Sequence, residues 1–190
     1  MLWTEEMFGV KKPIIAMLHL DPLPGDPRFH YGDSMDRVVE HARADLRALQ
    51  EGGVDGVLIS NEFSLPYERR MSFVTPAAMA RVVGELKSEL RVPFGVDCIS
   101  DGQATLELAA AVGAKFVRGT FSGVYVGDGG LYNNDSVSYT HLDVYKRQLL
   151  SYKLNHFGPW FSRREKNKPV FVFSNEKKRI FSANRSIDGE

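Results

Sequence analysis

Polar side chains able to move protons or hold anions stand where short apolar runs give out. His19 closes the run Pro13–His19, Asn61 and Glu62 follow Val54–Ser60, Asp97 ends the apolar Phe94-Gly95-Val96, and Arg118 falls within Lys115–Thr120. An imidazole at His19 titrates near neutral pH and could serve as general acid or base; the alternative is a histidine bonded to the next strand, closing the end of the sheet. Successive strand residues point to opposite sides, so one of Asn61 and Glu62 is expected to face the interior. Glu62 could act as a base or a metal ligand and Asn61 could orient a substrate hydroxyl, against the plainer reading of a loop cap beside a solvated carboxylate. Asp97, so close to apolar neighbours, needs a partner or a raised pKa. Arg118 is the candidate partner, and its planar fork suits a carboxylate or a phosphate; a purely structural Asp97–Arg118 pair reads equally well.

Weaker candidates surround these. Asp128 sits in Val126-Gly127-Asp128-Gly129-Gly130, where backbone donors could cradle a phosphate, although such a stretch is more often a turn. Asp21 and Arg28 lie in the proline-stiffened loop after His19, where a surface role is the simpler reading. Cys98 reads as buried packing rather than a nucleophile, and His41 as a solvated helix residue.

The elements that must position these residues alternate. The first strand, Pro13–His19, begins after a proline where no ladder donor is lost. A helix over Ser34–Glu51 has Asp33 or Ser34 as its cap, apolar residues from Met35 to Leu49 at helical spacing, and Gly52-Gly53 as a left-handed stop. Val54–Ser60 is the second strand. Thr75-Pro76 reads as a helix start, with proline in the first helical position. Val92–Cys98, the helix Asp101–Val112 and Lys115–Thr120 complete four strands. Repeated strand–helix units joined by glycine corners imply a parallel α/β sheet. No Gly-x-Gly-x-x-Gly follows the first strand, which disfavours a dinucleotide-binding open sheet and favours a barrel, with no cofactor indicated. Ligands of such sheets bind at the carboxyl ends of the strands, where the polar residues stand.

Composition narrows the class further. The chain has 190 residues and a formal net charge of zero, yet residues 1–135 carry 13 Lys/Arg against 19 Asp/Glu and residues 136–190 carry 11 against 5. An acidic segment is therefore joined to a basic one. A single cysteine rules out an internal disulfide and cysteine-pair zinc sites, and it fits a cytoplasmic setting. No apolar run approaches the ~18 residues of a membrane span, and the first ten residues do not form a signal peptide.

Four blocks carry a specific resemblance: Pro13-Ile-Ile-Ala-Met-Leu-His-Leu-Asp-Pro-Leu-Pro-Gly25, Gly53-Val-Asp-Gly-Val-Leu-Ile-Ser-Asn-Glu-Phe-Ser-Leu-Pro-Tyr67, Val92-Pro-Phe-Gly-Val96 and Gly113-Ala-Lys-Phe-Val-Arg118. From about Lys12 to Asn134 the chain resembles the BtpA family. The resemblance implies a TIM-type (β/α)8 barrel of the ribulose-phosphate-binding kind, of which four units form the N-terminal half. It also implies links either to sugar-uptake and sugar-metabolism gene clusters, which the Asn61–Tyr67 block favours, or to photosystem I biogenesis in photosynthetic members. Family members commonly continue Gly-Val-Asn at the third strand, where this chain carries Asp97.

Residues 136–190 break the pattern. Val137-Ser-Tyr-Thr-His-Leu-Asp-Val-Tyr-Lys-Arg-Gln148 resembles a peptide found at the ends of unrelated metagenomic reading frames, so residues from about Ser136 are expected to be artefactual and poorly ordered. Pro169–Ser174 has the pattern of one strand. The basic clusters Arg163-Arg164 and Lys177-Lys178-Arg179 lie among aromatics, but no nucleic-acid-binding module surrounds them, and no nucleic-acid partner is expected. The expected function is binding or conversion of a small phosphorylated sugar or nucleoside-like metabolite by the full-length protein. The alternative is a non-catalytic assembly or stability factor for a membrane complex. The chain itself is expected to be inactive and to self-associate through open sheet edges.

Overall fold

The computed structural model describes residues 3–30, 32–119, 121, 123–127, 130–134, 170–172 and 181–183. Their elements are, in chain order, α1 (Trp3–Phe8), β1 (Ile15–His19), α2 (Met35–Glu51), β2 (Gly56–Ser60), α3 (Val74–Leu86), β3 (Phe94–Asp97), α4 (Gly102–Val112), β4 (Phe116–Val117), β5 (Gly123–Gly127), β6 (Gly130–Asn134), β7 (Val170–Val172) and β8 (Phe181–Ala183). The first four strands form one sheet in the order β1-β2-β3-β4, every pair parallel. Parallel pairing places all four carboxyl ends along one edge, so the polar strand ends are brought together by topology alone. Four α/β units of one parallel sheet are consistent with part of a barrel.

Register decides which side chains share a face. His19 aligns with Ser60 and Ser60 with Asp97; below them Met17, Leu58, Gly95 and Phe116 form a second row. On this face Ile15, Leu58 and Phe116 are buried together, with Met7, Phe8 and Met17 against them. Helix α1 was not anticipated from sequence, and it supplies that cover: the Phe8 ring meets Phe116 edge-on at 5.5 Å. Gly95 is required here, because a Cβ would lie 2.7 Å from the Phe116 carbonyl oxygen and closer still to its ring. The opposite face carries Leu18, Val57, Ile59, Val96 and Val117, buried against the apolar stripes of α2, α3 and α4. Val39 and Leu46 of α2 and Met79, Val82 and Leu86 of α3 are fully covered, each stabilising the fold by about 1.5–3 kcal/mol.

Local signals set most boundaries. The Ser34 hydroxyl accepts from Arg37 N–H and starts α2, and Gly53 at φ +75° helps end it. Asp101 caps α4 by accepting from Ala104 N–H, and Gly113 at φ +73° closes it. Helix α3 departs from expectation. It begins at Val74 after Phe73, without a side-chain cap, and Thr75 is a buried residue of the first turn. Pro76 still fits, because the amides of a first turn have no intrahelical partner to lose. The strands are shorter than their apolar runs, and β4 is only Phe116–Val117 where 115–120 was expected.

Among the described residues beyond β4 no helix follows, and part of the glycine-rich stretch belongs to strands. β5 and β6 pair antiparallel, with Gly127 opposite Gly130. The strand expected within 169–174 appears as β7 and pairs antiparallel with β8. Among the described residues no helix is long and apolar enough to cross a membrane.

Candidate functional site at the strand carboxyl ends

His19, Ser60 and Asp97 are the last residues of three adjacent strands, and Arg118 follows the fourth directly. Neighbouring strands lie about 4.8 Å apart, so His19 and Asp97 flank Ser60. Asp97 is 4% exposed. Its Oδ2 lies 3.5 Å from Nε of Arg118, whose side chain is 36% exposed. Burial pushes the Asp97 carboxyl up to about 7; Arg118 opposes the rise and Glu62 adds to it. Asp97 therefore exchanges a proton near neutral pH. The expected pair with Arg118 is present, and about a third of the Arg118 side chain is exposed.

His19 is half-buried. Desolvation lowers its pKa, the negative charge of Glu62 pulls it back up, and Arg118 pushes it down. The ring is thus neutral near pH 7, and its Nε2 is buried with no hydrogen-bond partner. For that nitrogen, the alternative of a histidine bonded to the neighbouring strand is not what is found. The Phe63 ring meets the imidazole edge-on at 6.4 Å.

Asn61 and Glu62 divide the two roles read from sequence. Asn61 is fully buried, and its Oδ1 accepts from Ile99 N–H at 2.9 Å, tying the end of β2 to the turn after β3. Its Nδ2 is buried without a partner. The Glu62 carboxylate acts on His19, Asp97 and Tyr67, which places its charge in the same cluster. Ser60, one position earlier, also belongs to this level: it ends β2 and keeps the parity of Leu58, in register with His19 and Asp97.

Two residues of the cluster were missed from sequence. Ser60 could have been found by counting alternate positions back from the strand end. Tyr67 donates its hydroxyl to the Glu62 carbonyl at 2.9 Å. Its pKa is raised by burial first and then by Glu62. No periodic signal marks a residue in an irregular loop, so Tyr67 was legible only as part of the family-like block.

The loops bearing these residues are stitched together by aspartates. Asp26 Oδ2 accepts from Leu23 N–H at 2.6 Å and from the Ser64 hydroxyl at 2.7 Å, joining the loop after β1 to the loop after β2. Asp101 Oδ2 accepts from Met71 N–H at 2.8 Å, joining the latter to the start of α4. Asp21 accepts from His41 Nδ1 at 2.5 Å, and His41 is exposed, as read from sequence. Cys98 is buried as expected, its thiol pushed up to about 12 by burial, with Sγ 3.7 Å from Sδ of Met79. Asp128 lies outside the described residues.

A cavity of about 860 Å³ opens at the other end of the sheet, by the amino ends of β3 and β4, between Met7, Lys87, Pro93, Phe94 and Lys115. It contains none of the titratable strand-end residues. Among the described residues no three His, Cys, Asp or Glu side chains gather closely enough to hold a metal ion.

Comparison with known proteins gives these residues a lineage. The profile described as BtpA family matches residues 10–154. The putative sgc region protein SgcQ of Escherichia coli is 49% identical over 135 residues, covering 71% of this chain and 50% of that protein. An uncharacterized protein of Methanocaldococcus jannaschii is 33% identical over 150 residues, covering 78% and 55%. The photosystem I biogenesis protein BtpA of Synechocystis is 33% identical over 149 residues, covering 77% and 50%. The chain spans about half the length of the curated relatives it matches, and no solved structure matches it. The chain belongs to the BtpA family.

Proposed function

We propose that the row of strand ends is part of a small-molecule site that binds, and in the full-length protein converts, a phosphorylated sugar or nucleoside-like metabolite. The observation that carries this reading is Asp97, buried and raised to about 7, paired with the partly exposed Arg118 side chain, with neutral His19 on the same face. Arg118 offers a planar fork to a phosphate or carboxylate. Asp97 takes a proton from the bound molecule in its ionised form and returns it in its protonated form. His19 serves as the second proton carrier, and Glu62 sets the potential that both feel. The fold this reading implies is a (β/α)8 barrel, whose ligands lie at the strand carboxyl ends.

A screen of phosphorylated sugars and nucleotides by calorimetry, with His19→Ala and Arg118→Met beside the unaltered chain, tests the reading. Binding that weakens in both variants supports it. Ligands that bind all three proteins alike would remove these residues from the site.

A second reading is favoured by one relative, the photosystem I biogenesis protein. On that reading the protein is a non-catalytic assembly factor. Capture of a membrane complex by the full-length protein, unaffected by His19→Ala and Arg118→Met, would favour it over the first.

A further inference from the structure

Among the described residues, every buried side-chain nitrogen or oxygen without a hydrogen-bond partner lies at the carboxyl ends of β1 and β2: His19 Nε2, Ser60 Oγ and Asn61 Nδ2. Buried polar groups are rarely left unpaired, and each one left so costs stability. Three together on adjacent strand ends, two of them aligned in register, mark a place built to be satisfied by something that enters. Resting on the strand-end reading above, we propose that Ser60, with His19 and Asn61, forms a subsite for the uncharged oxygen function of a ligand, a hydroxyl or a carbonyl, whose anionic end lies at Arg118.

The donor inventory defines the chemistry. Asn61 has its oxygen engaged by Ile99 N–H, so its free arm is a donor. The Ser60 hydroxyl donates or accepts, and Nε2 of a neutral imidazole does either. None of the three is charged, so the group they suit is neutral, able to accept from Asn61 and to exchange a hydrogen bond with Ser60. The cationic group of the site, Arg118, is two strands away from Ser60, because β4 follows β3 and β3 follows β2. That separation is about 10 Å between backbones, and inward-reaching side chains shorten it to the length of a small phosphorylated polyol or hydroxycarbonyl compound.

Ser60 and Asn61 are fully covered, so the subsite opens by side-chain movement. The Phe63 ring rests edge-on to His19 and is 39% exposed.

The test compares Ser60→Ala with the unaltered full chain, using inorganic phosphate and glycerol 3-phosphate as probes in calorimetry, and adds a thermal melt. The expected result is unchanged phosphate affinity and a loss of about three- to tenfold in the preference for glycerol 3-phosphate, the worth of one uncharged hydrogen bond. The melting temperature should hold or rise, because an unpaired buried hydroxyl has been removed. An unchanged preference would overturn the inference while leaving the strand-end reading in place. If neither probe binds in a way that Arg118→Met abolishes, that reading fails and this inference with it. Should the alanine variant not fold, the near-isosteric Ser60→Cys answers the same question by the same ratio.

Discussion

Replacing Asp97 by asparagine should make the protein more stable at alkaline pH, by an amount set by its burial. The carboxyl is raised from an ordinary 3.8 to about 7. The folded protein therefore holds that proton more tightly than the unfolded chain. The stabilisation is complete below pH ~4 and is lost as pH rises through about 7. At 1.36 kcal/mol per unit the whole effect is about 4 kcal/mol, of which about 3 kcal/mol is lost between pH 5 and 8. Asparagine cannot ionise, so Asp97→Asn escapes that loss. Arg118 is already included in the raised value and, being partly exposed, keeps its hydration in the variant. His19 works in the opposite direction: its lowered pKa adds stability as pH rises, but it does so in both proteins and cancels from the difference. Urea unfolding of the two proteins from pH 5 to 8 gives that difference directly. A stability gap that widens in favour of the variant by about 3 kcal/mol supports the reasoning. A gap constant across the range would mean that Asp97 stays ionised throughout, a structural salt bridge with no proton to exchange.

Further outcomes follow from the same geometry. Glu62→Gln removes a charge that raises both His19 and Asp97, so both should titrate at lower pH in an NMR titration; a rise in either would contradict the placement of Glu62. Asp101→Ala removes the α4 cap and the bond to Met71 together, and should cost about 1–2 kcal/mol in urea unfolding. Gly95→Ala forces a methyl group into Phe116 and should cost about 1–3 kcal/mol, whereas Gly84→Ala, in open space within α3, should gain about 0.5–1 kcal/mol. Equal effects of the two glycine changes would refute the packing of the inner face.

Much of this was legible because the strand–helix units are written in simple periods. Apolar runs entered through Pro13 and Pro93, the caps Ser34 and Asp101, and the stops Gly53 and Gly113 each act within a few residues, where sequence is most informative. Parallel pairing then brought His19, Asp97 and Arg118 to one edge, as alternation of strand and helix implied. Ser60 was overlooked although the second strand was read to end there: the two polar residues that follow drew the attention, while Ser60 keeps the parity of Leu58 and stands in register with His19 and Asp97. The aspartate stitches from Asp26 to Ser64 and from Asp101 to Met71 were hidden for another reason: they join loops 30 or more residues apart, and nothing local announces them. Helix α1 escaped notice because six residues hold too little of a helical period.

The central claim is that the strand ends form a binding site for a small, oxygen-rich anion. An NMR titration of the full chain with ribose 5-phosphate, following the His19 ring and the Arg118 Nε–H, tests it most directly. Saturable shifts at both residues, with the His19 shift lost in Arg118→Met, are the predicted result. Silence at both with shifts at Lys87 and Lys115 instead would place the site at the opposite end of the sheet and contradict the account.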